Sequence, residues 1–177
     1  MIQLLDATLV GESCAPAIPF SPDASVLVLG VGNLLMGDEG AGVHVLRCLE
    51  TEPSIPGVRL LDGGTGGASL LTEFEGVRSI VLIDATRDGS ASGSVVYRYR
   101  KHLAVTEIPP GLSAHDFGLK DLFAAATLIG LMPELHLYTI AVNRLDPMTT
   151  ELSPEVAAAV PEVVHSVRCL AARLAQG

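Results

Sequence analysis

From residue 25 onward the chain alternates between two hydrophobic rhythms. Short, mostly apolar runs at Ser25–Leu29, Val58–Leu61, Ser79–Ile83 and Leu135–Val142 have the length and β-branching of buried strands. Ser94–Arg100, rich in valine and tyrosine, reads as a further strand. Between them lie stretches with helical spacing. Glu39–Leu49 carries Ala41, Val43, Val45, Leu46 and Leu49 on one face, and Ala68–Phe74 predicts a short helix. Ser113 and Asp116 are spaced as a capping box opening a helix to about Gly130. Residues 152–176 predict a closing helix with Ser153 at the N-cap, Pro154 in its first turn and a kink at Pro161.

Strand–helix alternation with apolar strands predicts an α/β domain: three layers, α/β/α, with a mostly parallel sheet of about five strands. Residues 1–24 lack a clear period and contain Pro16, Pro19 and Pro22, so they read as a partly ordered N-terminal extension before a single domain at 25–177. The whole chain of 177 residues suits one core.

Charge narrows the partners. The net charge is −9, and the nearest approach to a basic tract is Arg98, Arg100, Lys101 and His102. Binding to phosphate polymers needs clustered cations, so nucleic acid and anionic membrane are excluded as expected partners. No apolar stretch reaches bilayer-spanning length, and the first basic residue is Arg47, so a signal peptide is not expected and the predicted compartment is the cytoplasm. Cys14, Cys48 and Cys169 form no local pair; scattered cysteines of this kind are expected to be small buried apolar residues.

The stretch VLVLGVGNLLMGDEGAG, residues 26–42, looks like a dinucleotide loop but lacks its chemistry. The third glycine of the G-x-G-x-x-G fingerprint is replaced by Leu35, and no Walker pattern occurs. Asp38 and Glu39 occupy the place where a phosphate would sit. Two unit charges 4 Å apart interact by about 4 kcal/mol at an effective dielectric of 20, here repelling a pyrophosphate. The loop is therefore suited to a cation, or to an acid that caps its own helix. Asp38 can be read as that cap, and Glu39 as a complement to the helix dipole.

In open α/β sheets ligands bind beyond the carboxyl ends of the strands. Asp62 and Asp84 each end an apolar strand run and Glu39 follows a third, so one sheet edge should collect all three loops. Asp62 reads first as a turn former feeding Gly63, Gly64 and Thr65; Asp84 reads equally as turn former or ligand. Of the five histidines, His44, His102, His136 and His165 lie within helix or strand patterns, and only His115 stands where a loop meets a helix start. One imidazole with two carboxylates is a donor set suited to nickel or zinc, with positions left open.

The ordered combination GVGNLLMGDEGAGVHV, DGGTGG, VLIDA and SAHDFGL resembles the hydrogenase maturation endopeptidases, over about residues 26–150. The resemblance implies a twisted sheet sandwiched by helices, and a cytoplasmic, monomeric metal-dependent protease. Such a protease removes the C-terminal extension from the precursor of a nickel–iron hydrogenase large subunit once nickel is inserted. The family's metal-contacting, catalytic positions fall on Glu39, Asp84 and His115. Asp38, Asp62, Gly63, Gly64 and Thr65 match motif positions expected to support the site or touch substrate. The nickel is expected to arrive with the precursor; zinc or cadmium can stand in for it in the isolated protein. A non-catalytic chaperone of the large subunit is the alternative, with a nucleotide-binding oxidoreductase behind it.

Overall fold

In the computed structural model, residues 24–100 and 116–177 are described. The proposed N-terminal extension, Cys14, His102, His115 and the Ser113–Asp116 capping box fall wholly or partly outside them.

Five strands, β1 (Val26–Val31), β2 (Val58–Gly64), β3 (Ser79–Thr86), β4 (Val95–Arg100) and β5 (Glu134–Ala141), form one sheet in the order β2-β1-β3-β5-β4. All neighbours are parallel except β4, which runs antiparallel to β5 at the edge. Three α-helices accompany them: α1 (Ala41–Glu50), α2 (Asp116–Leu128) and α3 (Pro154–Gln176).

Strand alternation sorts the core into two halves. Val26 and Val28 of β1, with Val81, Ile83 and Ala85 of β3, pack beneath α1 and α3. Leu27, Leu29 and Val31, with Ile80 and Leu82, face α2 and the segment Gly67–Phe74. This is the predicted three-layer α/β/α fold. Two helix boundaries differ from expectation. Gly37–Gly40, containing both acids, is a separate 3-10 turn ahead of α1, and Gly67–Phe74 is 3-10 throughout rather than α-helical. α3 runs on through Pro161 as one helix. Cys48 and Cys169 are exposed, against the buried reading, because each falls on the solvent side of its helix.

The start of α1 lies unusually close to the sheet. A Cβ on Gly42 would come within 2.3 Å of the Ile83 carbonyl oxygen and 2.4 Å of that of Val31. One on Gly30 would meet the Gly42 carbonyl oxygen at 2.5 Å. The close helix–strand approach that a dinucleotide fold obtains from its third glycine is obtained here from Gly42. Asp38 adds a second tie. The Ser153 backbone N–H donates to its Oδ1 at 2.7 Å and the Ser153 hydroxyl to its Oδ2 at 2.8 Å. Ser153 does hold the N-cap position of α3, but its hydroxyl makes no cap bond to its own helix.

On the α3 face near the β4 edge, His136 is buried between Tyr97 and Tyr99, with ring centroids 6.1 and 4.7 Å away. Its Nδ1 shares a hydrogen bond of 2.8 Å with the Tyr97 hydroxyl, and its Nε2 has no partner among the described residues. Burial pushes the imidazole below its ordinary value of 6.5; Glu134 opposes the shift and Arg173 adds to it.

Three outcomes follow from this packing. Gly42→Ala should destabilise the fold by about 3 kcal/mol, because the obstructing atoms are backbone carbonyls that cannot move aside; urea denaturation checks it. Ser153→Ala should cost about 1.5–2 kcal/mol by leaving one oxygen of a buried carboxylate short of its donor, read the same way. For His136 the unfolded chain takes up a proton near 6.5 while the folded state resists it, so stability is lost as pH falls from that value. His136→Phe should flatten the dependence of the urea midpoint on pH between 7.5 and 5.5.

Candidate active site at the carboxyl edge of the sheet

β1 is followed by a crossover to β2 on one side, while β3 lies on its other side. The carboxyl ends of β1 and β3 therefore flank the switch point, the crevice in which α/β sheets bind ligands. Both strands end there in an acid, or in a loop that carries one.

After Val31 the chain must reverse sharply to begin α1. Gly32, at φ +135°, makes this possible: a Cβ there would lie 2.0 Å from the Glu39 carbonyl oxygen. Gly37, at φ +58°, opens the 3-10 turn. The turn packs against β3 and carries Glu39 into the interior, where it is 2% exposed. Asp84, near the end of β3, is 0% exposed, and its Oδ1 accepts from the Ala85 backbone N–H at 2.8 Å. Removing two carboxylates from water is costly unless each is compensated.

Asp38, next to Glu39, has a different task. Both of its oxygens accept from Ser153, and it makes no cap bond to the turn or to α1. The N-cap position of α1 belongs to Gly40, without a side-chain cap bond. Asp62 is the turn residue that its sequence suggested: it is exposed, and its Oδ1 accepts from the Gly64 backbone N–H at 2.9 Å. Gly63 is buried where a Cβ would press on Leu29 and Val31, and the Gly64 carbonyl accepts from the Gly32 N–H at 2.9 Å. Thr65 is exposed at the tip. His44 lies outside the site, its Nε2 3.0 Å from the Thr150 carbonyl oxygen.

His115 lies outside the described residues, immediately before α2. The first turn of that helix abuts the DGGTGG loop, since a Cβ on Gly118 would lie 3.0 Å from the Gly67 Cα. Among the described residues no group of three or more His, Cys, Asp or Glu side chains could hold a metal. Two residues that sequence reasoning did not single out share Asp84's face of the sheet. Thr139 is its register partner on β5, and the Thr139 hydroxyl accepts from the Arg98 guanidinium of β4 at 3.1 Å. Their proximity depends on strand order and on β4 being antiparallel, neither of which leaves a local motif.

Residues 43–168 match the family model for hydrogenase maturation proteases. The chain is 34% identical to the hydrogenase expression/formation protein HupD of Rhodobacter capsulatus over 164 residues, 89% of this chain and 78% of that protein. It is 31% identical to the hydrogenase 2 maturation protease of Escherichia coli over 80% of this chain and 87% of that protein. Among solved structures, the hydrogenase maturating endopeptidase HybD of Escherichia coli superposes with a TM-score of 0.73 at 31% identity, covering 80% of this chain and 88% of that one. The [NiFe] hydrogenase maturation protease HybD of Thermococcus kodakarensis gives 0.68 at 32% identity, covering 82% and 98%. With the fold, the glycine turn and the family model in agreement over most of its length, the chain belongs to the hydrogenase maturation protease family.

Proposed function

We propose that this protein is an endopeptidase that removes the C-terminal extension from the nickel-loaded precursor of a nickel–iron hydrogenase large subunit, engaging the precursor's nickel through Glu39, Asp84 and His115. The observation that carries the reading is the convergence of Glu39 and Asp84. They come from different elements, the Gly37–Gly40 turn and β3, and lie far apart in sequence, yet both are buried at the switch point of the sheet. The start of α2, with His115 just before it, borders the same edge through Gly118 and Gly67.

In this reading the nickel belongs to the substrate. Held by the precursor, it polarises the scissile carbonyl or lowers the pKa of a bound water. The protease contributes position. Burial of both carboxylates, and the backbone bond to Asp84, hold them in place before the substrate arrives, so little ordering remains to be done on docking. A precursor without nickel offers these acids no charge partner, and is left uncut. No helix among the described residues is long and apolar enough to cross a membrane.

The test is mass spectrometry of precursor incubated with wild-type protein, Glu39→Gln or Asp84→Asn. Wild type should release a C-terminal peptide from nickel-loaded precursor and leave nickel-free precursor intact. Each variant should cut at least ~100-fold more slowly while retaining its fold by circular dichroism. Equal cutting of both precursors would remove nickel from recognition. Tight binding of the loaded precursor without any change in its mass would make the protein a chaperone instead.

A further inference from the structure

Two large apolar side chains project from the rim beside the Gly37–Gly40 turn: Leu35, 57% exposed, and Met148, 85% exposed. They belong to loops distant in sequence but clamped together. The Met148 N–H donates to the Leu35 carbonyl at 2.7 Å, the Gly37 N–H donates to the Thr149 carbonyl at 2.9 Å, and Met36 bridges to Thr149. Met148 sits at φ +64°, the only non-glycine residue among those described with a positive φ. That region is disfavoured for any residue with a Cβ and is free of cost for glycine. The nearby loops use glycine wherever they need it, at Gly32, Gly37, Gly64 and Gly67. At position 148 a long side chain is kept in spite of its backbone, and packing does not explain it, because the side chain is in water.

We infer that Leu35 and Met148 form an apolar knob that docks into the folded body of the hydrogenase large-subunit precursor. This rests on the protease reading above. Residues 35 to 39 form one continuous loop, so a precursor that brings its cleavage segment to Glu39 must cover Leu35, and with it Met148. Leucine and an unbranched methionine are suited to fill a recess whose shape differs from their own, and a few apolar anchors of this kind dominate interface energetics. Strain held in the backbone next to a functional site is retained where the surrounding contacts enforce it, as the paired loops do here.

The experiment compares full-length wild type, Leu35→Ser, Met148→Gly and Met148→Leu, measuring calorimetric binding of nickel-loaded precursor, KM and kcat of cutting, and Tm. Met148→Gly should keep or raise Tm, because it relieves the backbone, while Kd and KM for the precursor rise roughly tenfold and kcat does not change. Leu35→Ser should weaken binding similarly, and Met148→Leu should restore most of it. Unchanged Kd and KM in a wild type that cuts would overturn the knob and leave the protease reading standing. So would a fall in Tm with Met148→Gly, which would make the side chain structural. If wild type binds through the knob without cutting, the docking surface stands and the protease reading falls. If wild type neither binds nor cuts the precursor, both fall.

Discussion

The site depends on how closely α1 approaches the carboxyl ends of β1 and β3. At Gly42 the helix backbone rests directly against the carbonyls of Val31 and Ile83, with no room for even a methyl group. That contact draws the preceding residues, Gly37 to Gly40, over the sheet edge and fixes how deep Glu39 lies. A helix held further out by a side chain would lift Glu39 towards solvent and away from Asp84. A glycine in the helix is what lets the turn that carries Glu39 pack against the strand that carries Asp84.

The same loop explains why two adjacent acids differ in role. Consecutive residues in a tight turn point in different directions, and Asp38 and Glu39 part accordingly. Asp38 turns to the start of α3 and accepts two hydrogen bonds from Ser153, 115 positions away in the chain. This ties the turn to a helix packed on α1 and holds the loop against movement. Glu39 turns inward. The charges that made the sequence hostile to a phosphate thus divide between a brace to α3 and a buried position at the sheet edge.

Much of this was legible beforehand. Strand positions, helix faces and layer order follow from period-two and period-3.6 patterns that need only local sequence. Asp62 was readable as a turn residue because its partner, Gly64, is two positions on. The antiparallel run of β4 could also have been read, since the connection 87–94 is too short for a crossover between parallel strands. Hidden features share one property: their partners are remote. The bond of Asp38 to Ser153, that of Arg98 to Thr139 and the clamp of Leu35 on Met148 all join segments brought together by topology. The capping role first open to Asp38 is a local hypothesis, and tertiary structure offered it better donors.

The misplaced third glycine shows how a resemblance between loops can mislead while the physics beneath it holds. Dinucleotide folds and this one face the same geometric problem: a helix must begin immediately after a strand and lie close upon it. In the nucleotide case the glycine is early, so helix N–H groups are exposed to an anion at once. Here it is delayed to Gly42, and the intervening residues form a 3-10 turn that fills the anion's place with carboxylates. Moving one small residue further along the chain replaces the open amide groups of a phosphate cradle with a turn that carries two acids.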